Sequence, residues 1–247
     1  MNDDFSVDAA DQTLRGTVTG NAAGDAPSVL ALHGGGQSSR RGIQYLLSAL
    51  ARDGVASASF DFSGHGDSTG QVEGSSLNER MSQALAVAGH VAPGRPLSLI
   101  GTSMGGHVAC SLIERLQPPA LVLFCPAAYA APAQDAPFGP SFQQILRSTV
   151  DYASSPAFTA LEGFEGRLLL VHGTQDAVIP AQVLDQYERR ARRAESVEVV
   201  RLEGAGHKLH DWLQSRPRDH GLVLDAVLRT LAPGARRQSA PGGISFT

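Results

Sequence analysis

Four short runs of nearly uninterrupted apolar residues punctuate the chain: Val29-Leu30-Ala31-Leu32, Leu97-Ser98-Leu99-Ile100, Leu121-Val122-Leu123-Phe124 and Leu168-Leu169-Leu170-Val171. None alternates with polar residues. Each therefore predicts a strand that needs cover on both faces, as strands of a parallel sheet do. Val55 to Phe60 is a weaker run of the same kind. Val197 to Leu202 alternates in part, which suits a strand nearer a sheet edge. Between these runs the apolar period becomes helical. Ser76-Leu77-Asn78-Glu79 reads as a capping box and is followed by Met81, Ala84, Leu85 and Ala88. Val108, Leu112 and Leu116 form a second stripe, stopped by Pro118-Pro119. Val183, Tyr187 and Ala191 form a third. Val223, Val227 and Leu231 form a fourth, with Pro217 well placed for a first helical position. Strands alternating with helices predict right-handed βαβ crossovers and a mostly parallel, doubly wound α/β sheet flanked by helices.

The stretch from Pro126 to Gly166 breaks this rhythm. It begins rich in Ala and Pro, then carries Phe138, Phe142, Ile145, Leu146, Tyr152 and Phe158 as apolar anchors. It is too long for a simple connection and reads as a lid of one or two short helices. The tail from Pro233 to Thr247 has little periodicity and reads as frayed. No repeat or second domain is visible, so residues 1–247 read as a single domain.

Composition narrows the functional classes. The chain has 247 residues, enough for one α/β domain with a large core. Its 27 glycines imply many tight turns. Two cysteines, Cys110 and Cys125, both in apolar runs, predict buried free thiols rather than a disulfide scaffold. A formal charge of −4 offers no electrostatic footprint for nucleic acid. No apolar stretch approaches the ~18–20 residues of a membrane span. The start, Met1-Asn2-Asp3-Asp4, is acidic rather than basic as in a secretory leader. A cytoplasmic protein, monomeric or homodimeric, is the expectation.

The sharpest chemical feature is Gly101-Thr102-Ser103-Met104-Gly105, placed between a predicted strand and a predicted helix. This is G-x-S-x-G in the strand-turn-helix context that gives the pattern meaning. A turn this sharp leaves no room for a Cβ two residues to either side of the serine. A serine hydroxyl needs an oriented base to act as a nucleophile. Asp176, after Leu168 to Val171, is the candidate acid, and His207, after Val199 to Leu202 and a Gly-Ala-Gly turn, the candidate base. All three would then lie at carboxyl ends of parallel strands. Asp151 and Asp185 are rival acids, and His210 and His220 rival bases. Asp176 could also merely cap the following helix. His33, His65, His107 and His172 read as packing or loop residues, and His90 has no arguable role.

Backbone N–H groups of Met104 and of Gly35, with Gly34 second, are candidates for an oxyanion hole, because side-chain-free residues let an amide approach a substrate oxygen closely. The same glycines could suggest a phosphate loop, but neither Lys-Ser/Thr nor G-x-G-x-x-G spacing follows. Asp61 to Ser68 reads as a tight loop bordering the site. Arg189, Arg190, Arg192 and Arg193 read as a solvated helix end.

Taken in this order, His33-Gly34-Gly35, Asp61 to Ser68, Gly101 to Gly105, Asp176 and Gly206-His207 resemble the α/β-hydrolase fold serine hydrolases over roughly residues 13 to 232. The loop Asp61-Phe62-Ser63-Gly64-His65-Gly66-Asp67-Ser68 is similar to the group of monoacylglycerol lipases, cinnamoyl esterases and serine aminopeptidases. The resemblance implies Ser103 as nucleophile, Asp176 as acid, His207 as base and the N–H groups of Met104 and Gly35 as the oxyanion hole, with no metal or organic cofactor. The lid, about 40 residues, is short for that group. Its Phe138 and Phe142 suggest contacts to an apolar acyl or aryl group, and hydrolysis of a small-molecule ester is the leading expectation. Thioester or amide hydrolysis uses the same groups; Glu162 and Glu165 lie near the lid as possible acidic anchors. A ligand receptor without activity on the same fold is the alternative of another class.

Overall fold

The computed structural model describes residues 1–232 apart from Asn21, Ala23 and Asp25. Its strands are β1 (Asn2–Ala9), β2 (Gln12–Thr19), β3 (Val29–Leu32), β4 (Ser57–Phe60), β5 (Ser98–Thr102), β6 (Ala120–Phe124), β7 (Arg167–Gly173) and β8 (Ser196–Leu202). They form one sheet in the order β1-β2-β4-β3-β5-β6-β7-β8. Every pairing from β4 to β8 is parallel, and β2 joins antiparallel to both β1 and β4. The winding reverses at β3, which has β4 on one side and β5 on the other. Crevices at such reversals are where open α/β sheets hold ligands.

The helices are α1 (Gln44–Arg52), α2 (Leu77–Val91), α3 (Met104–Ser111), α4 (Ile113–Leu116), α5 (Pro140–Ser148), α6 (Pro156–Glu162), α7 (Ala181–Arg190), α8 (Leu209–Gln214) and α9 (Pro217–Leu231). The uninterrupted apolar runs are explained by two cores. Leu30, Leu32, Leu99, Leu121, Leu123, Leu168 and Leu170 face a layer that includes α2, α3, α6 and α7. Their neighbours Val29, Ala31, Ile100, Val122, Phe124, Leu169 and Val171 face the opposite layer, which includes α1, α8 and α9. Each fully buried aliphatic side chain of this kind contributes about 1.5–3 kcal/mol. The predicted capping box forms, with Ser76 Oγ accepting the N–H of Glu79 and the Glu79 carboxylate accepting that of Ser76.

Three expectations need adjustment. The chain pairs from its second residue onward, in a hairpin that no uninterrupted apolar run marks. Phe5, Val7 and Ala9 alternate there with Asp4, Ser6 and Asp8, and the ring of Phe5 lies directly over Gly16 on β2. The stripe Val108-Leu112-Leu116 is not one helix: the backbone breaks at Leu112 between α3 and α4. The span 126–166 holds two short α-helices, as expected, but they pack in different places. Its second helix, α6, buries Ala157, Phe158 and Leu161, and Phe158 meets Tyr187 of α7 edge to face at 4.9 Å. That makes α6 a crossover helix of the scaffold. From this span, α5 and the stretch before it supply residues that line the cavity described below. The tail 233–247 lies outside the described residues.

Candidate active site

The turn after β5 is built by steric exclusion. A Cβ on Gly101 would stand 2.5 Å from Gly105 O, and one on Gly106 would stand 2.7 Å from Pro126 Cβ. Ser103, at the apex, has φ 51° and ψ −115°. A non-glycine residue there carries strain of about 1–3 kcal/mol. The turn is held against β6 by the Ser103 N–H donating to Phe124 O at 2.9 Å. The Ser103 carbonyl accepts from Gly106 N–H at 2.9 Å and Ala127 N–H at 3.0 Å. Because the next peptide is trans, the Met104 N–H is turned the opposite way. As the first residue of α3, Met104 is among those whose N–H has no partner within the helix.

Two loops from distant parts of the chain converge on this serine. Asp176 follows β7 and His207 follows β8. The end of β7 and the His207 loop touch so closely that a Cβ on Gly173 would lie 2.0 Å from Ala205 O. His207 Nε2 lies 3.2 Å from Ser103 Oγ, and His207 Nδ1 lies 2.8 Å from Asp176 Oδ2. The Asp176 side chain is 2% exposed. Its other oxygen, Oδ1, accepts the N–H groups of Val178 and Ile179 at 2.8 and 3.0 Å. Asp176 does not cap α7, whose first turn has no side-chain cap; Oδ1 instead holds the loop before the helix, while Oδ2 faces His207. Of the rivals, Asp185 is exposed on α7 and Asp151 accepts from Ala153 N–H within its own loop. His210 and His220 sit against Tyr45, with ring centroids 5.9 and 5.2 Å from it.

The glycine loop after β3 lies across from the elbow. A Cβ on Gly34 would be 3.4 Å from Ser103 Cβ, and one on Gly35 would be 3.6 Å from Met104 Sδ. His33 is buried and accepts the Phe62 N–H at Nε2, 3.0 Å away. That assigns the ring proton to Nδ1, which donates to Gly34 O at 2.6 Å. Burial, with His65 beside it, pushes the His33 pKa down to about 3, so the ring is neutral. With the Gly34 carbonyl held by His33, the Gly35 N–H on the other edge of the same trans peptide is turned away from His33.

The far end of this loop is held by groups the sequence reading did not assign. Arg40 and Asp61 form a buried ion pair, and Arg40 N–H also donates to Asp61 Oδ1 at 2.7 Å. Asp61 Oδ2 accepts from Asp67 N–H at 3.0 Å. Asp61 to Ser68 thus braces the glycine loop. Arg80, fully buried behind it, donates to Ser63 Oγ and Ser75 Oγ and lies over the Phe62 and Phe138 rings. Arg40 and Asp61 are 21 residues apart and Arg80 and Ser63 are 17 apart, separations that match no helical or strand period.

A cavity of about 500 Å³ opens beside these loops. Gly35 and Met104 form one wall, and Tyr129, Phe138, Phe142 and Leu146 form much of the other, with Val72 and Glu73 at its edge. Phe138 is strapped to the loop before α2 by two backbone bonds, its N–H to Ser75 O at 2.7 Å and Gly74 N–H to its carbonyl at 3.0 Å. Phe138 packs edge to face on Phe142 at 4.8 Å. Glu162 and Glu165 are away from the cavity, paired with Arg190 and Arg193. Cys110 and Cys125 are free and buried. Cys125, Asp176 and His207 are the one group of potential metal donors found among the described residues, within 4.8 Å of one another. Burial pushes the Cys125 thiol pKa up, and Asp176 and His207 are already bonded to each other. No helix among the described residues is long and apolar enough to cross a membrane.

The sequence model of the family described as "Serine aminopeptidase, S33" matches residues 25–157, more than half of the chain. None of the curated proteins compared by sequence matches it. Among solved structures, the chain is similar to an esterase from Pyrococcus furiosus at 18% identity, over 93% of this chain and 91% of that one, with a TM-score of 0.68. It is similar to an α/β serine hydrolase without lid from Xanthomonas campestris at 17% identity, over 95% and 97%, with a TM-score of 0.67. Est1E from Butyrivibrio proteoclasticus, solved with ferulic acid bound, aligns at 18% identity over 90% and 99%, with a TM-score of 0.64. At such identities the likeness to these structures concerns the fold.

Proposed function

The chain belongs to the serine aminopeptidase family of α/β-hydrolase-fold serine hydrolases, and on that premise we propose that it cleaves a carboxylic ester of a small or medium apolar acyl or aryl group through Ser103, His207 and Asp176. The observation that carries this reading is the unbroken hydrogen-bonded series from Asp176 through His207 to Ser103, 2.8 and 3.2 Å long, beside an aromatic-walled cavity.

His207 Nε2 takes the Ser103 proton as Oγ attacks the carbonyl carbon. The developing oxyanion is met by the N–H groups of Met104 and Gly35, with Gly34 as the alternative donor. Preorganised donors of this kind are each worth roughly 2.7–4 kcal/mol in the transition state. The proton on Nε2 then passes to the leaving alkoxide, and the alcohol departs from an acyl-serine. Water attacks that ester with the same base, and Ser103 is restored. Asp176 keeps the Nδ1 proton of His207 in place and stabilises the imidazolium. Phe138 and Phe142 would contact the acyl or aryl group. No step calls on a metal or organic cofactor.

Amide hydrolysis is a second reading. Glu73, on the cavity wall, is a carboxylate that could meet a substrate amine. A fluorophosphonate probe tests the shared chemistry: stoichiometric labelling of the wild type and none of Ser103→Ala is the expected result. A folded wild type that resists labelling would favour a receptor. A panel of p-nitrophenyl esters from acetate to palmitate, with thioesters and aminoacyl amides, then ranks the substrate classes. Faster turnover of amides than of esters overturns the ester assignment.

A further inference from the structure

Three residues beyond His207, the second residue of α8 makes contacts that a rival base or a stray core histidine would not need. His210 Nε2 lies 2.8 Å from Thr102 Oγ1, on the residue directly before Ser103. Its Nδ1 lies 3.1 Å from the Tyr45 hydroxyl on α1. Its ring rests against Phe124 at 4.8 Å, and the Phe124 carbonyl is the group that holds the Ser103 N–H. Desolvation pushes the His210 pKa down to about 4, so near neutral pH the ring has one donor and one acceptor nitrogen. Both face hydroxyls, which can serve either role, so the ring is satisfied in either tautomer.

The arrangement matters for what it joins. Thr102 and His210 are 108 residues apart in sequence. One adjoins the serine in the elbow, and the other lies in the first turn of α8, three residues after His207. Besides the Ser103–His207 bond, the Cys125 thiol after β6 donates to His207 O at 3.4 Å, and Asp176 holds the imidazole from the β7 side. A thiol is a weak donor. The Ser103–His207 bond is already 3.2 Å long, so a further drift of about half an ångström would take it out of hydrogen-bonding range.

We propose that His210 is a positioning residue, which through Thr102 fixes the His207 turn against the nucleophile elbow. The proposal rests on the roles given above to Ser103 and His207. It is separated from them by what each variant reads.

The experiment compares His210→Ala, His210→Gln, Thr102→Val and the Thr102→Val/His210→Ala double variant. The readouts are kcat and KM on p-nitrophenyl butyrate, the rate of fluorophosphonate labelling, and thermal unfolding. A misplacement near 1 Å can cost about 100-fold in rate. For folded His210→Ala we expect kcat and labelling rate to fall about 10- to 100-fold, with KM within about threefold of wild type. Gln, which can both donate and accept, should recover most of the rate. Thr102→Val should show a similar loss, and the double variant should be no worse than the poorer single one, because both break one bond. Wild-type kcat in folded His210→Ala overturns the proposal, as do losses that multiply in the double variant. Should His210→Ala not fold, wild-type kcat in Thr102→Val overturns it alone. Labelling of Ser103→Ala would instead sink the assignment of the nucleophile.

Discussion

Gly105 stands so close to the end of β3 that a Cβ on it would lie 2.2 Å from the carbonyl oxygen of Leu32 and 2.6 Å from that of His33. The elbow and the glycine loop are therefore in backbone contact, across a gap that admits only hydrogen. In Gly105→Ala, α3 or β3 must shift, and the two N–H groups proposed to share one oxyanion move apart. We expect a loss of more than about 2 kcal/mol in urea unfolding and collapse of ester turnover. Gly89→Ala is the control. It lies in α2 with nothing within 4 Å of the new Cβ, and should gain roughly 0.5–1 kcal/mol.

Asp176→Asn separates orientation from folding. The amide oxygen can still accept from Val178 and Ile179, so the loop should hold its shape. The NH₂ group would face His207 Nδ1 and favour the tautomer that places the proton on Nε2, toward Ser103. We expect kcat on p-nitrophenyl esters to fall roughly 10³- to 10⁴-fold with an unchanged circular dichroism spectrum. An unchanged rate would remove Asp176 from the mechanism.

Asp61→Ala leaves the Arg40 guanidinium only the half-exposed Asp67 carboxylate, 2.9 Å away, as a charged partner. Asp61 is fully buried, and the Arg40 side chain is only 10% exposed. Removing one partner of a buried pair costs about 3–5 kcal/mol, and Asp67, 43% exposed, offsets only part of that. Chemical unfolding of the variant measures this. A cost below about 1 kcal/mol would mean that Asp67 and water together replace the carboxylate.

Acid should destabilise the protein through histidines that are buried neutral. Burial holds His33 at about 3 and His107 at about 4, against 6.5 for an exposed ring. Both folded values are depressed. Above pH 6.5 neither state is protonated at these rings, and their contribution to stability is complete. As pH falls below 6.5 the unfolded chain binds protons that the native rings refuse. Stability should then drop by up to about 1.4 kcal/mol per pH unit per ring, and level off for these groups near pH 3–4. Urea midpoints between pH 7 and pH 4 test this, and His107→Gln should flatten the slope by up to one proton.

Local sterics and periodicity made much of this legible in advance. The runs at Val29, Leu121 and Leu168 admit only strands covered on both faces. The glycines at 101 and 105 admit only a turn too tight for side chains. The hairpin from Asn2 to Thr19 was equally legible in the alternation of Phe5, Val7 and Ala9. Uninterrupted apolar runs mark interior strands, whereas an edge hairpin shows only this alternation. The role of Asp61 was not legible. Its partner Arg40 is 21 residues away, and only the placement of β4 beside β3 brings the two loops together.

The chain by itself determined the parallel core, the strained serine turn, and the strand ends that carry Asp176 and His207. These depend on residues that are neighbours in sequence or share one short period. Only the tertiary structure decided which glycine N–H turns from His33, how the aromatic wall of Tyr129, Phe138 and Phe142 bounds the cavity, and that His210 reaches Thr102. Those outcomes depend on the order in which strands join the sheet and on where their ends converge. Such long-range closures are set by the packing of the whole domain, and no local pattern of side chains encodes them.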